Sequence, residues 1–113
     1  MMKKSISEVE IRIDNADFEN LDNVEKALRD TVMTRIRPCR VIIDMTSLRV
    51  GFGVLKKTNS MNRIFEQYRD DADRIIDSTT VLVSSRPAAF VARIVTKLAR
   101  PSKPVQVKFM KIV

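Results

Sequence analysis

The chain of 113 residues is strongly basic, with 21 Lys and Arg against 14 Asp and Glu and a formal net charge of +7. Its length and its 44% hydrophobic content suit one domain with a modest core, so residues 1–113 are predicted to form a single domain. With no His and one Cys, an internal disulfide, a thiol–imidazole pair and an ordinary zinc site are excluded.

The N-terminus does not indicate a secretory signal. Lys3 and Lys4 suit the start of one, but Ser5, Ser7 and Glu8 follow where an apolar segment would stand. No apolar run approaches the roughly 18 residues of a membrane span. We therefore expect a cytoplasmic protein.

The first third of the chain predicts a strand and a helix. Apolar and charged residues alternate over 8–13, which is typical of an edge strand with one wet face. A polar loop is expected at 14–20. Apolar residues at helical spacing then predict a helix over roughly 22–35, with Asp22 and Glu25 as its capping box.

The central strand is predicted at 40–45, after Pro38 breaks the helix. Its run of three apolar residues favours a strand covered on both faces, which would bury Ile42. Gly51 and Gly53, the only two glycines, follow and predict the tightest bend in the chain.

The remaining elements continue the alternation. The second helix is predicted to begin near Gly53 with one apolar face, and a β-branched run predicts a buried strand over 79–83. A third helix is predicted over 87–100 and a last strand over 105–112. The two apolar helix faces comprise Val54, Thr58, Met61, Phe65, Tyr68 and Ala72 in the second helix, and Phe90, Val91, Ile94 and Leu98 in the third.

The order βαβαβαβ predicts a single α/β domain with a four-stranded, mainly parallel sheet and about three helices. We expect right-handed crossovers and helices on both faces of the sheet. The strands ending at Asp44 and near Ser84 are expected to lie side by side, with Ile42 and Leu82 away from water.

Two stretches resemble known families. The run VIIDMTSLRVGFGVL, residues 41–55, resembles the middle of a STAS domain, found in anti-sigma factor antagonists and in sulfate transporter tails. The run IIDSTTVLVSSRPAAFVARIVTKLARPSKPVQVKF, residues 75–109, resembles the closing half of the CRAL-TRIO fold. The first resemblance implies a STAS-like fold that acts by protein contact. The second implies lipid carriage, for which this chain lacks the enclosing elements.

The chain departs from the phosphorylation-switch pattern of STAS regulators. Those proteins carry an Asp-Ser-Ser or Asp-Ser-Thr loop just before the turn glycine. If Asp44 and Gly51 are matched to the family's strand end and turn, that loop has no counterpart, since Thr46 and Ser47 lie too close to Asp44. Thr46 and Ser47 are either a regulated phosphosite or hydroxyls that bond the local backbone.

The resemblance implies an interaction surface around the loop and helix after the central strand. A non-enzymatic protein-interaction or regulatory module is the function that this surface favours. Exposed sheet edges at 8–13 or 105–112 could also pair with another chain, so homo-oligomers are an open alternative. The candidate interaction loop comprises Asp44, Thr46, Ser47, Arg49, Gly51, Gly53, Lys56 and Lys57.

Charge offers a second function. Residues 78–113 hold seven basic residues and no acid, and four of the cations fall on one side of the third helix. Such a stripe suits contact with phosphates of nucleic acid or with an anionic surface, although it is equally typical of a solvated face. The candidate polyanion contacts are Ser84, Ser85, Arg86, Arg93, Lys97, Arg100 and Lys103.

Catalysis is not indicated. Asp44 ends a central strand, where α/β folds place functional groups, but no second acid, base or nucleophile is positioned near it. The GFG run, residues 51–53, matches no nucleotide-binding loop. We therefore predict no catalytic, cofactor-binding or metal-binding residues. A structural subunit that packs its cationic side against acidic neighbours is a third hypothesis.

Overall fold

The alternation of strands and helices is confirmed by a computed structural model, which describes residues 7–33, 38–99 and 104–110. The elements in chain order are β1 (Ser7–Arg12), α1 (Asn15–Glu19), α2 (Asp22–Ala27), a π-helical segment (Leu28–Met33), β2 (Cys39–Asp44), α3 (Phe52–Gln67), α4 (Arg69–Ile75), β3 (Ile76–Val83), α5 (Arg86–Ala99) and β4 (Val105–Phe109).

The four strands form one sheet in the order β1-β2-β3-β4, and every neighbouring pair is parallel. The α/β class and the parallel sheet are therefore confirmed, as are the central position of β2 beside β3 and the edge positions of β1 and β4. Each new strand joins on the same side of the last. Because crossovers between parallel strands are right-handed, this order places the three crossovers on one face of the sheet.

Burial follows that topology. Every strand side chain in the core lies on one face, which we call the covered face, and packs with helix residues such as Phe18, Met61 and Val91 in a single cluster. The buried strand residues on the covered face are Val9, Ile11, Cys39, Val41, Ile43, Val81 and Val83.

The other face, which we call the open face, has no core residue among the described strands. Ile42 and Leu82 lie on neighbouring strands as predicted, but both are only partly buried. The prediction of helices on both faces was wrong. An apolar run in a parallel strand is compatible with two covered faces or one, and the strand order decides which. The open face carries Glu8, Glu10, Arg12, Arg40, Ile42, Asp44, Ser78, Thr80, Leu82, Gln106 and Lys108.

The first helical region differs from the prediction. The expected loop at 14–20 contains α1, which begins with a capping box between Asp14 and Asp17. No such box exists at Asp22 and Glu25, because α2 begins after Leu21 and has no side-chain cap. Glu25 instead accepts a hydrogen bond of 2.8 Å from the Tyr68 hydroxyl.

The helices α3 and α5 pack beside each other, and α5 also contacts β3 and β4. Val54, Thr58 and Met61 are buried as predicted, and the Asn62 side-chain amide donates to the Val95 carbonyl over 2.9 Å. The predicted apolar face of α5 was partly wrong. Phe90 is 58% exposed, whereas Ala88, Ala89, Val91, Ala92 and Val95 are buried. The side chain of Leu98, also predicted for this face, lies outside the described residues.

Candidate functional site at the carboxyl edge of the sheet

The loop after β2 is organised by Asp44. Its carboxylate accepts hydrogen bonds from the Thr46 backbone amide at 2.9 Å and from the Thr46 hydroxyl at 2.6 Å. The bond from the hydroxyl is the main cause that lowers the pKa of Asp44 below its ordinary value of 3.8, and the positive charge of Arg12 adds to it. Asp44 is therefore an ionised loop-organising residue.

The end of β1 holds the same loop from the other side. Arg12 donates to the Ser47 hydroxyl oxygen at 2.7 Å. The Asn15 side chain donates to the Arg49 carbonyl and accepts from the Arg49 amide, both at 2.8 Å. Sequence reasoning missed Arg12 and Asn15, because their partners lie more than thirty residues away and no local pattern marks them.

The loop after β3 closes the other side of the site. The Ser84 hydroxyl donates to the Thr46 carbonyl at 2.7 Å, and the Ser85 hydroxyl accepts from the Ala88 amide at 3.2 Å at the start of α5. The hydroxyl proton of Ser84 is therefore not available to an anion in this structure, whereas Ser85 caps a helix.

These contacts bring the two predicted sets together. A surface hollow at the carboxyl edge is formed by the loops after β2 and β3, so the start of the polyanion set adjoins the interaction loop. The sequence did not predict that the two sets adjoin, because their shared edge arises from the pairing of β2 with β3. The hollow is lined by Thr46, Ser47, Leu48, Arg49, Val50, Ser84, Ser85 and Pro87.

The two glycines have a smaller role than predicted. Gly51 precedes α3 in an extended conformation that any residue adopts, with φ −132° and ψ −170°. A Cβ atom at Gly51 or Gly53 would meet no atom within 4 Å. The expected tight bend at the glycines was wrong, since the turn lies earlier, at Thr46 and Ser47.

Large apolar side chains are exposed around the hollow. Phe52 is 82% exposed and Leu55 is 50% exposed on the first turns of α3, and Phe90 projects from the start of α5. Phe109 and Met110 end β4, where the Met110 amide donates to the Val83 carbonyl. Parallel strands end at the same edge of a sheet, and α3 and α5 begin where β2 and β3 end. All five large apolar residues that are exposed in the described chain therefore lie at the carboxyl edge. We call these five residues the apolar rim.

Cations surround the apolar rim. Arg86, Phe90 and Arg93 share one face of α5, so an aromatic ring lies within the predicted basic stripe. Lys97 lies in α5, but its side chain, Arg100 and Lys103 fall outside the described residues. The exposed cations near this edge are Arg12, Arg49, Lys56, Lys57, Arg86 and Lys108.

The described residues contain no group of three or more Cys, Asp or Glu placed to hold a metal ion. No helix within them has the length and apolar character to cross a membrane. An apolar cavity of about 110 Å³ lies between the covered face and the helices, well below the roughly 300 Å³ at which ligand pockets begin.

Comparison of the chain with protein-family models, with curated proteins and with solved structures finds no match. The STAS and CRAL-TRIO resemblances therefore stay predictions from the sequence.

Proposed function

We propose that the chain is a non-enzymatic protein-interaction module of STAS-like type that binds its partner at the carboxyl edge of the sheet. The observation that carries this proposal is the apolar rim. All five large apolar side chains exposed in the described residues lie at one edge, together with the loop and helix that the sequence favours for partner contact. Soluble domains keep such clusters exposed mainly where another molecule covers them.

Burial of the apolar rim supplies the binding energy in this proposal. Covering one Phe side chain is worth about 1.5–3 kcal/mol, and exposed aromatic residues commonly carry most of the affinity of an interface. The loop beside them is already fixed by the bonds of Asp44, Arg12 and Asn15. A partner therefore pays little conformational entropy to order this surface.

The cations around the rim define the chemistry of the partner. No acid occurs between residues 45 and 65 or between 78 and 113, so the start of α3 and all of α5 present only positive charge. A segment that carries both apolar and acidic side chains fits this surface. Charge would steer the encounter, and the apolar side chains would hold the complex.

The test is affinity capture with immobilised wild-type protein and two edge variants, followed by mass spectrometry. One variant is Phe52→Ser with Phe90→Ser, and the other is Lys56→Glu with Lys57→Glu. Loss of about 2 kcal/mol at the rim weakens binding roughly thirtyfold, so a specific partner should be lost from both variants.

The matched control is Lys26→Glu with Arg29→Glu, which makes the same charge change at exposed positions away from this edge. It should retain the partner. Equal capture by the edge variants and the control would contradict the proposal.

Polyanion binding is the competing function, favoured by the exposure of Arg86 and Arg93 on one face of α5. Fluorescence anisotropy with labelled single-stranded and duplex nucleic acid, over a salt series, separates the two functions. Tight binding that weakens steeply with salt and survives Phe52→Ser with Phe90→Ser would favour nucleic acid over a protein partner.

A further inference from the structure

We propose that two copies of this chain pack open face against open face, about a two-fold axis that runs across the strands. This surface adjoins the carboxyl edge proposed above for the protein partner and shares Arg12 and Asp44 with it. It places the middle of one sheet over the middle of another, with the helices of both copies outside.

The open face needs a cover. Parallel sheets are found almost always with both faces buried, and here only one is. The centre of the open face, formed by Ile42, Thr80 and Leu82, is apolar or β-branched and partly exposed. Charged side chains lie beside this centre on β1, at both ends of β2 and at Lys108 on β4.

The charges lie in a regular pattern. Glu8 and Arg40 are direct neighbours in one row across the sheet, and Arg12 and Asp44 are neighbours in another. In each row the charge on β1 is opposite to that on β2, and on both strands the charge of the first row is opposite to that of the second. Between the two rows lies a middle row with Glu10, Ile42, Thr80 and Gln106.

With a two-fold axis along the middle row, each charge in the outer rows on β1 and β2 faces an opposite charge of the second copy. The rotation lays the first row of one copy over the second row of the other. Glu8 then faces Arg12 of the second copy, and Arg40 faces Asp44 of the second copy. Both pairs occur twice, which gives four attractive contacts around the apolar centre.

The competing axis, parallel to the strands, is disfavoured by the same charges. It lays β1 of one copy over β4 of the other and β2 over β3. Arg12 would then face Lys108, and the carboxylate of Asp44 would lie against Leu82. The favoured axis brings two Glu10 side chains together, but these lie on an edge strand where water screens them.

The size of the face sets the strength of the dimer. With strands about 4.8 Å apart and about 3.3 Å per residue, the contact buries roughly 700 Å² over both copies. Specific interfaces generally bury more than about 1,000 Å². A weak dimer is therefore expected, with a dissociation constant of about 10–300 µM.

Sedimentation equilibrium of the full chain from about 10 to about 500 µM tests the proposal. The average mass of the wild type should rise above 13.0 kDa with concentration, and less so at high salt. Glu8→Arg and Arg12→Glu should each weaken self-association at least about tenfold, because each places like charges opposite each other.

Mixing those two variants gives the decisive result. In the mixed dimer Arg at position 8 faces Glu at position 12, and the unchanged Glu8 and Arg12 face each other, so association should return. A purely local effect on either chain would not be rescued in this way. If either edge-strand variant fails to fold, Ile42→Arg replaces it as the test. This substitution places two like charges next to each other on the axis and should abolish the dimer.

Two control proteins define the surface. Glu66→Arg makes the same charge change as Glu8→Arg on the exposed side of α3 and should leave the dimer unchanged. Phe52→Ser with Phe90→Ser should also leave it unchanged. A strictly monomeric wild type, a mixture that does not associate, or a dimer lost only in the Phe52 and Phe90 variant would overturn the proposal.

Discussion

The two faces of the sheet are built from the same four strands and have opposite surroundings. Ile43 points into the covered face and is 7% exposed, while its neighbour Ile42 points to the open face and is only partly buried. The side chains have the same chemistry and adjoin in sequence. What separates their environments is the order in which the strands join, so burial in a parallel sheet is set by topology as much as by hydrophobicity.

The largest expected effect comes from comparing those two isoleucines. Ile43→Ala should lower the free energy of unfolding by about 3 kcal/mol, because it leaves a cavity in the core. Ile42→Ala should cost about 1 kcal/mol, since water already reaches this side chain. Urea denaturation in dilute solution measures both. Equal losses would show that the open face is buried even in the monomer.

The second largest effect on stability is expected from a buried hydrogen bond on the covered side, between Asn62 and Val95. Asn62→Ala removes the hydrogen bond between α3 and α5 and should cost about 1–3 kcal/mol in the free energy of unfolding. Asn59→Ala is the matched control, because Asn59 is exposed on the same helix and should change stability by less than about 0.5 kcal/mol. A loss as small as that of the control would mean that the helices do not depend on this contact.

On the open face, stability should instead depend on pH through Asp44. The pKa of Asp44 is lowered in the folded state. Its contribution to the free energy of unfolding is therefore complete above pH 3.8 and is lost as the pH falls through the lower pKa of the folded state. Asp44→Asn should therefore be less stable than the wild type at pH 7, with a difference that shrinks below pH 3.8. Denaturation at several pH values measures this.

Asp17 does not obscure that comparison. Burial raises the pKa of Asp17, which gives the opposite pH dependence, but this residue is present in both proteins and its effect cancels. A stability difference that stays constant into strong acid would contradict the role of Asp44.

The smallest expected effect is a change in the pKa of Tyr68, on the helix side of the molecule. The bond to Glu25 is the main cause that raises the pKa of Tyr68, and this is the only tyrosine in the chain. Glu25→Gln should lower the pKa of Tyr68, because the phenolate no longer forms beside a negative charge. Ultraviolet absorbance during an alkaline titration reports this change directly. Asp22→Asn, an exposed acid on α2, should leave the titration curve in place.

The sequence predicted those features of the fold that local patterns carry. Strand and helix periods placed β2, β3 and α5 within a few residues, and the alternation of elements led to a parallel sheet. The uncovered face was not predictable in this way. It depends on the strand order, which is a relation between distant parts of the chain that no single stretch records.

In the candidate site, too, local signals were predicted and contacts between distant residues were not. Asp44 and its loop were predicted as a candidate site because a strand that ends in an acid is a local signal. The contribution of Arg12 and Asn15 was missed, since it depends on pairing between β1 and β2. Phe90 was placed with the core because helical spacing leaves the apolar face uncertain by about one residue in each turn, and the smaller alanines beside it fit the sheet more closely.

The buried position of Cys39 allows its thiol to report on opening of the core. Its side chain lies in the core at the start of β2, with 0% of its surface exposed. A thiol reagent can reach this sulfur only when the core around it opens, and the chain has no second cysteine to compete. The rate of alkylation in the native protein therefore measures how often this end of the core opens, without any engineered label.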